Sequence, residues 1–266
     1  MKDLFKLALV FCLFMLGCTA NKYATTNRSY KRQVKALAKE LTTYPLEETK
    51  ATWVGTTNLG LRKPNFVVIH HTAQNSCDQT LRTFTLPRTQ VSAHYVICKD
   101  GKVHHMLNDY LRAWHAGSGS WGNDKDVNSS SIGIELDNNG FEPFTEPQMT
   151  SLLTVLDSLK NRFRIPAANF IGHADIAPTR KNDPNVQFPW QALAQKGFGL
   201  WYGDTTNIQV PENFNAMQAL RIIGYSLKDT SASIAAFRRH FTAQDTGRTL
   251  SPGDKKILYD LMWKYQ

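Results

Sequence analysis

Histidines cluster in the middle of this 266-residue chain, where they could bind a metal ion. Seven of the eight histidines lie between His70 and His173, and this bias favours a metal site within that stretch. A zinc ion with three protein ligands and one open position lowers the pKa of water to about 7, which suits it to hydrolysis. A hydrolytic site of this kind would therefore need three ligands that converge on one ion.

Three side chains meet this requirement. His70 ends an apolar run that predicts a buried strand, and His173 follows the short apolar segment 170–172 in the same way. Asp183 lies ten residues after His173, in a loop stiffened by two prolines, so that both can reach one ion. A single histidine is more often a core or surface residue than a metal ligand, so spacing alone leaves the ligand set open.

Two charged residues could assist such an ion. Alternating apolar residues along 131–136 leave Glu135 on the opposite face of a predicted strand, together with Gly133, which makes room there. Glu135 could take a proton from water, or it could be a solvated acid on an exposed sheet face; periodicity leaves both open. Lys181 lies two residues before Asp183 and could stabilise an oxyanion, or it could be ordinary surface charge.

The elements around these residues alternate between strands and helices. Predicted strands follow the apolar segments 66–69, 91–98, 103–107, 131–136 and 170–172. Two capping boxes, Ser76 with Gln79 and Thr145 with Gln148, begin predicted helices, the second of which ends before Pro166. This order predicts an α/β fold with a mixed central sheet flanked by helices.

The last third of the chain has a different composition. Glycines and a proline precede a wholly helical tail, in which apolar residues repeat at helical spacing and Ser251 with Pro252 begins the third helix. We predict a small C-terminal three-helix bundle. The predicted boundaries are 1–17 for a signal peptide, 18–50 for a lipidated N-terminus with tether and short helix, 51–200 for the α/β domain, 201–210 for a linker and 211–266 for the bundle.

The N-terminus has the features of an export signal. Two lysines flank its start, and the apolar run 7–16 is too short to cross a bilayer as a mature helix. LGC at 16–18 resembles the lipobox of bacterial lipoproteins, in which the signal is removed and the cysteine is acylated. This resemblance implies lipidation at Cys18 and, with Thr19 following, the outer membrane facing the periplasm. The alternative is an ordinary secreted protein with a chance cysteine.

Several short motifs occur in the order typical of a known enzyme family. They are VIHHT at 68–72, SAHY at 92–95, AWHAG at 113–117, SIGIE at 131–135 and GHADIAP at 172–178. RKNDP at 180–184 and FPW at 188–190 extend the match to roughly residues 50–200. Together these motifs resemble the type-2 N-acetylmuramoyl-L-alanine amidases, most closely their outer-membrane lipoprotein branch.

The resemblance implies a zinc enzyme that acts on peptidoglycan. The expected reaction is hydrolysis of the amide between N-acetylmuramic acid, or its anhydro form, and L-alanine. The resemblance implies zinc ligands at His70, His173 and Asp183, a general base at Glu135 and transition-state stabilisation by Lys181. The alternative is a recognition lipoprotein of the same fold that binds the wall without hydrolysis. Because such relatives typically lose a ligand, retention of all five residues favours catalysis.

Other residues of the matching region are candidates for contact with substrate. These are His71, Tyr95, Trp114 and His115. Packing explains each of them equally well. His71 stands where many lipoprotein amidases have tyrosine, a difference that does not threaten cleavage. The C-terminal tail resembles a peptidoglycan-binding three-helix module with a shortened loop at 226–233, so a structural cap on the amidase domain is the alternative to wall binding.

The remaining thiols and the net charge bear on the disulfide state of the protein and on the kind of partner it binds. Once Cys12 leaves with the signal and Cys18 carries lipid, Cys77 and Cys98 could form a disulfide or remain as buried free thiols. The formal net charge of +9 predicts an anionic partner in the cell envelope. An exported chain rarely meets nucleic acid, and no basic patch interleaved with aromatics indicates otherwise. We expect a monomer.

Overall fold

The computed structural model describes residues 21–41, 58, 61, 63–244 and 247–266. The chain divides into two compact units, Met1–Leu59 and Gly60–Gln266. In the first unit, the described residues form helix α1 (Ala24–Glu40), none of whose residues is buried. The predicted signal peptide, 1–17, and the predicted lipidation site, Cys18, lie outside the described residues. Among the helices that are described, none is both long and apolar enough to span a membrane.

The second unit is built around a mixed five-stranded sheet. Its strands are β1 (Phe66–His71), β2 (Tyr95–Ile97), β3 (Val103–His105), β4 (Ser131–Leu136) and β5 (Phe170–Gly172). Their order is β3-β2-β4-β1-β5, in which β3 runs antiparallel to β2 and the other neighbours are parallel. The predicted mixed sheet is confirmed. β2 is shorter than the predicted strand 91–98, because Ser92 exchanges backbone and side-chain hydrogen bonds with Trp114 in a loop.

Eight helices of the second unit lie among the described residues. They are α2 (Cys77–Thr85), α3 (Val127–Ser130), α4 (Glu146–Phe163), α5 (His173–Ile176), α6 (Trp190–Gln195), α7 (Ala216–Ile223), α8 (Thr230–Thr242) and α9 (Pro252–Lys264). Short 3₁₀ turns occupy Pro87–Thr89 and Ala167–Asn169. The three predicted C-terminal helices are present, and Ser251 forms a complete capping box with Asp254 at the start of α9.

The two helix starts predicted in the α/β domain are capped, but neither capping box is complete. At the first, the Gln79 side chain accepts a hydrogen bond from the backbone of Asn75 instead of Ser76. Ser76 accepts a hydrogen bond from the backbone of Gln79 at the start of α2. Thr145 likewise accepts from the backbone of Gln148, whereas the Gln148 side chain donates to the carbonyls of Ile97 and Asp137. That part of the prediction is wrong because the Gln148 side chain is fully buried and satisfies strand-end carbonyls instead.

Both faces of the sheet are covered. Strand residues such as Ile69 and Ile134 pack with Leu152 and Leu156 of α4 in one hydrophobic cluster. On the opposite face, the second cluster joins residues of β1 and β5 to the C-terminal helices; it includes Val68, Ile171, Leu220, Phe237 and Leu258. The predicted bundle at 211–266 and the predicted α/β domain therefore lie in one compact unit with a shared core.

A disulfide joins the first residue of α2, Cys77, to Cys98, the residue that follows β2. This is one of the two states that the sequence left open. The disulfide therefore ties α2 to the end of β2, the strand that pairs directly with β4.

Candidate metal centre

Three buried side chains converge at one edge of the sheet. Nδ1 of His70 lies 2.8 Å from Nδ1 of His173, and Oδ2 of Asp183 lies 3.1 Å from each of these nitrogens. Zinc bonds of about 2.0–2.1 Å in a tetrahedral site separate ligand atoms by about 3.3 Å, close to these distances. Two imidazole nitrogens and one carboxylate oxygen form a donor set that can hold a divalent metal.

The parallel strands explain why the two histidines meet. Ile69 of β1 is paired with Gly172 of β5, so His70 and His173 follow at the same edge of neighbouring strands. Asp183 lies in a loop. The loop is held beside His173 by a 2.7 Å hydrogen bond from the backbone nitrogen of the next residue, Ala174, to the backbone oxygen of Asp183. The strands thus position two ligands and the loop delivers the third.

The protonation states of these groups suit metal binding. Burial, together with the neighbouring His173, lowers the pKa of His70 to about 4 and keeps its imidazole neutral. Burial alone raises the pKa of Asp183, but its hydrogen bonds with His173 and His70 outweigh burial, so its pKa lies well below the ordinary value. A neutral imidazole and an ionised carboxylate are the forms that ligate a metal.

The outer nitrogens of both histidines are also held. Nε2 of His173 lies 3.3 Å from the carbonyl oxygen of Ala116, which can only accept, so Nε2 carries the proton and Nδ1 is free to ligate. Nε2 of His70 lies 3.1 Å from Nδ1 of His115, whose Nε2 in turn lies 3.2 Å from the Ser131 hydroxyl. His115 therefore supports a candidate ligand from behind.

Glu135 stands beside the candidate ligands without being one. It is paired with His70 in the register of β4 and β1, and its Oε1 lies 4.0 Å from Nδ1 of His70. Oε2 is buried and finds no hydrogen-bond partner among the described residues. Burial, reinforced by the Asp183 carboxylate, raises the pKa of Glu135 to about 8. A carboxyl group with this pKa can exchange protons near neutral pH.

The surroundings of Glu135 correct one sequence interpretation. Gly133 was expected to make room beside Glu135 on this face of β4, but the His115 ring fills that space. A Cβ at Gly133 would lie 2.4 Å from Cγ of His115. The glycine is required by the ring that supports His70, not by open space for water or substrate.

Lys181 is half-buried two residues before Asp183, and its backbone nitrogen donates to the carbonyl of Ala177. Its positive charge lowers the pKa of both His70 and Glu135, so it acts electrostatically on the cluster. An ammonium group there can stabilise negative charge that develops at the site.

A family model described as N-acetylmuramoyl-L-alanine amidase matches residues 60–186, which contain the whole cluster. This segment is therefore similar to the N-acetylmuramoyl-L-alanine amidases. The N-acetylmuramoyl-L-alanine amidase AmiD of Escherichia coli (strain K12) is 39% identical over 151 residues, which cover 51% of this chain and 54% of AmiD. The 1,6-anhydro-N-acetylmuramyl-L-alanine amidase AmpD of Citrobacter freundii is 40% identical over 101 residues, covering 38% of this chain and 54% of AmpD. The chain spans about half the length of these curated relatives.

Solved structures share the fold over a longer stretch. The complex of AmiD from E. coli with the substrate anhydro-N-acetylmuramic acid-L-Ala-D-gamma-Glu-L-Lys superposes with a TM-score of 0.69 at 28% identity, covering 84% of this chain and 95% of that one. AmpDh3 from Pseudomonas aeruginosa in complex with anhydromuramic pentapeptide gives a TM-score of 0.71 at 26% identity, covering 84% and 99%. Because this coverage is longer than the segment 60–186, the common fold extends beyond the residues that the family model matches.

Two residues predicted to contact substrate lie on the face of the sheet away from the metal centre. His71 is paired with Leu136 and Tyr95 with Ile134, so strand alternation places both side chains on the face opposite to that of His70 and Glu135. Nδ1 of His71 accepts a 3.1 Å hydrogen bond from the backbone of Asn185, and the Tyr95 hydroxyl donates to Asp109 at 2.8 Å. The structure does not bring these two side chains to the metal centre.

The other two predicted contacts are adjacent in sequence but differ in accessibility. His115 is buried behind His70, which gives it a supporting position instead of a place in an open groove. Trp114 is 52% exposed and remains a candidate for substrate contact.

Sequence reasoning missed two polar residues that organise the candidate metal centre. Oδ1 of Asn128 accepts hydrogen bonds from the backbone nitrogens of His115 and Ala116, the residues behind the two histidine ligands. Asp175 lies buried two residues after His173 with three hydrogen-bond partners. A lone asparagine gives no sequence signal, whereas Asp175 lies inside the GHADIAP motif and could have been singled out there.

Proposed function

We propose that this protein is a zinc-dependent N-acetylmuramoyl-L-alanine amidase, which hydrolyses the amide between N-acetylmuramic acid and L-alanine in peptidoglycan. The observation that carries the proposal is the convergence of His70, His173 and Asp183 beside the buried Glu135 carboxylate. Its Oε1 lies 4.0 Å from Nδ1 of His70, and its Oε2 has no hydrogen-bond partner among the described residues. Three ligands and a nearby acid suit an open catalytic site better than a closed structural one, which would need a fourth ligand.

Zinc is the metal we propose for this site. Its two nitrogen donors and one oxygen donor match the ligand types of catalytic zinc centres. When bound, zinc supplies a Lewis acid that makes water more acidic and polarises a carbonyl group. His70, His173 and Asp183 would hold it.

Glu135 acts as the general base in this proposal. It removes a proton from the attacking water and later returns a proton to the leaving amine of L-alanine. A pKa raised to about 8 by burial lets the same carboxyl group perform both transfers near neutral pH. Lys181, whose positive charge acts on His70 and Glu135, stabilises the negative charge that develops on the carbonyl oxygen of the muramic acid lactyl group.

We propose that soluble anhydro-muropeptides are accepted as well as the intact wall polymer. Support comes from the two solved relatives, whose complexes contain an anhydro-N-acetylmuramic acid tripeptide and an anhydromuramic pentapeptide. Both superpose over most of this chain. Binding of the sugar and the stem peptide would then take place at the same edge of the sheet as the metal centre.

Chelation tests the catalytic proposal. Complete removal of metal from the full chain should abolish peptide release from purified sacculi and from anhydro-muropeptides, and added zinc should restore it. Mass spectrometry should identify free peptides beginning with L-alanine. A protein that pulls down sacculi without releasing peptide would instead be the non-catalytic recognition lipoprotein, and activity that survives metal removal contradicts the zinc mechanism.

We also propose that the chain is a monomeric lipoprotein of the outer membrane, anchored through Cys18 and facing the periplasm. The support is the LGC sequence at 16–18 after a short apolar run. Labelling with a radioactive fatty acid should mark the wild-type chain and not Cys18→Ala. Labelling of both variants, or recovery of the wild type in the soluble fraction, would contradict the anchor.

A further inference from the structure

A buried carboxylate near the metal centre draws its partners from the C-terminal helices. Oδ1 of Asp175 accepts a 2.7 Å hydrogen bond from the Tyr225 hydroxyl, and Oδ2 lies 2.7 Å from Nδ1 of His240. Asp175 is 2% exposed, so water cannot replace these partners. Tyr225 follows α7 and His240 belongs to α8, whereas Asp175 belongs to the short helix α5 that begins with His173.

The same carboxylate closes the turn that carries His173. Oδ2 of Asp175 also accepts a 2.8 Å hydrogen bond from the backbone nitrogen of Gly172, so it spans the turn from the end of β5 to α5. The next residue after His173, Ala174, holds the Asp183 backbone at 2.7 Å. A shift of this turn would therefore displace both His173 and Asp183.

The turn has little room in which to move. A Cβ at Gly172 would lie 3.0 Å from Cδ of Pro184, 3.1 Å from Cζ2 of Trp190 and 3.2 Å from Oδ2 of Asp175. Pro184 directly follows the candidate ligand Asp183. Close packing against Pro184 and Trp190 and the hydrogen bond to the Asp175 carboxylate together define the position of the turn.

The histidine that reaches Asp175 is itself fixed by aromatic stacking. Its ring lies parallel to Trp190, with centroids 3.9 Å apart and an interplanar angle of 14°, and it also stacks on Phe241. His240 therefore has one orientation in which Nδ1 meets the carboxylate. An imidazole held in this way is a rigid donor.

We propose that His240 and Tyr225 are positioning residues for the metal centre, because they hold the Asp175 carboxylate that fixes the turn carrying His173. The proposal rests on the metal site of the proposed function, but not on the reaction. It makes the C-terminal helices a part of the amidase site in addition to any contact they make with the wall. The residues on which the metal centre depends then extend beyond 60–186.

Metal affinity of the full chain tests this proposal. His240→Phe keeps a stacking ring and removes the donor, His240→Asn keeps a donor near the position of Nδ1, and Tyr225→Phe removes only the hydroxyl. Tyr259→Phe is the matched control, because it removes a hydroxyl from α9, where the ring packs on Phe214 and Trp263. We would measure the zinc Kd by competition with a chromophoric chelator and the visible absorption of the cobalt(II) protein.

His240→Phe should weaken zinc binding by about 10–100-fold and change the cobalt spectrum, as removal of outer-shell partners does at other metal sites. Tyr225→Phe should weaken binding in the same direction. His240→Asn should recover most of the affinity, and Tyr259→Phe should match the wild type. Thermal unfolding of each metal-free variant would show that the comparison is made on folded protein.

Wild-type affinity and spectrum in both His240→Phe and Tyr225→Phe would overturn the proposal. So would wild-type affinity in His240→Phe with a loss in His240→Asn, because the ring and not the donor would then matter. If His240→Phe does not fold, Tyr225→Phe decides by the same criteria. A wild-type chain that binds zinc but releases no peptide from muropeptides would refute the proposed function and leave this test intact.

Discussion

Two buried carboxylates of the metal centre differ in their surroundings, and the difference separates their roles. Asp183 is hydrogen-bonded to two imidazoles, which keeps its pKa low and the group ionised. Glu135 has one buried oxygen without a partner among the described residues, and its pKa is raised to about 8. An ionised acid that faces two imidazoles is suited to ligate a metal, and an acid that titrates near neutrality is suited to move protons.

Substitution of Glu135 by glutamine should separate catalysis from metal binding. The amide keeps the size of the side chain but cannot accept a proton, so turnover on a muropeptide should fall by about 100- to 10,000-fold. Zinc content should stay equal to that of the wild type, because Glu135 is not in the candidate ligand set. Glu142→Gln is the matched control, since Glu142 pairs with Lys99 away from the centre. Substantial activity in Glu135→Gln would refute the role of general base.

The stability of the metal-free protein should depend on pH in two opposite ways. Folding lowers the pKa of His70 to about 4, so the unfolded chain binds more protons below the ordinary histidine pKa of about 6.5. Stability should therefore fall as the pH drops from about 6.5 towards 4, by about 3 kcal/mol from His70 alone. The lowered pKa values of buried His94 and His115 act in the same direction.

Glu135 has the reverse effect on the alkaline side. Its folded-state pKa of about 8 exceeds the ordinary value, so the folded chain holds a proton that the unfolded chain has lost. Between pH 6.5 and 8 the free energy of unfolding should fall by about 2 kcal/mol. Denaturant titrations in a chelator should show this decrease in the wild type and not in Glu135→Gln. An equal decrease in both proteins would contradict the assignment.

At the scale of elements, the 113–117 loop packs tightly against β4 beside the metal centre. Gly133→Ala would place a Cβ 2.4 Å from the His115 ring, which cannot retreat without losing its contact with His70. We expect a loss of about 1–3 kcal/mol in the free energy of unfolding, together with weaker zinc binding. Gly253→Ala, in the exposed first turn of α9, is the control and should be neutral or slightly stabilising. Wild-type zinc affinity in Gly133→Ala would show that His115 does not support the ligand.

How far sequence predicted these elements depends on the range of the interactions that form them. β4 was predicted with its observed bounds, because an alternating pattern is local information. The side chain of Gln148 was misassigned because its partners, Ile97 and Asp137, come from distant segments. Strand periodicity could have separated His71 from His70, since neighbours along a strand point to opposite faces. The positions of Asp175 and His240 could not be predicted, because 65 residues separate them along the chain.

At the scale of the whole molecule, one face of the sheet serves two purposes. Val68 of β1 and Ile171 of β5 pack under the C-terminal helices, while His70, further along β1, and His173, directly after β5, form the metal centre. The helices that complete the core therefore lie next to the site and reach it through Asp175. Loss of these helices would remove core and site support together.

Residues 60–266 should consequently unfold in one cooperative transition. Phe237 is fully buried where α8 meets the sheet, so Phe237→Ala should cost about 3–5 kcal/mol and destabilise the metal centre together with the helices. Trp263→Ala, at a position that is 60% exposed on α9, is the control and should change stability by less than about 1 kcal/mol. Denaturant titrations of the zinc protein would follow tryptophan fluorescence and metal release. We expect the midpoints of the fluorescence change and of metal release to coincide. Both should shift together in Phe237→Ala, because a shared core cannot be lost on one side alone. Metal retained after the helices unfold would show that the amidase domain stands without them.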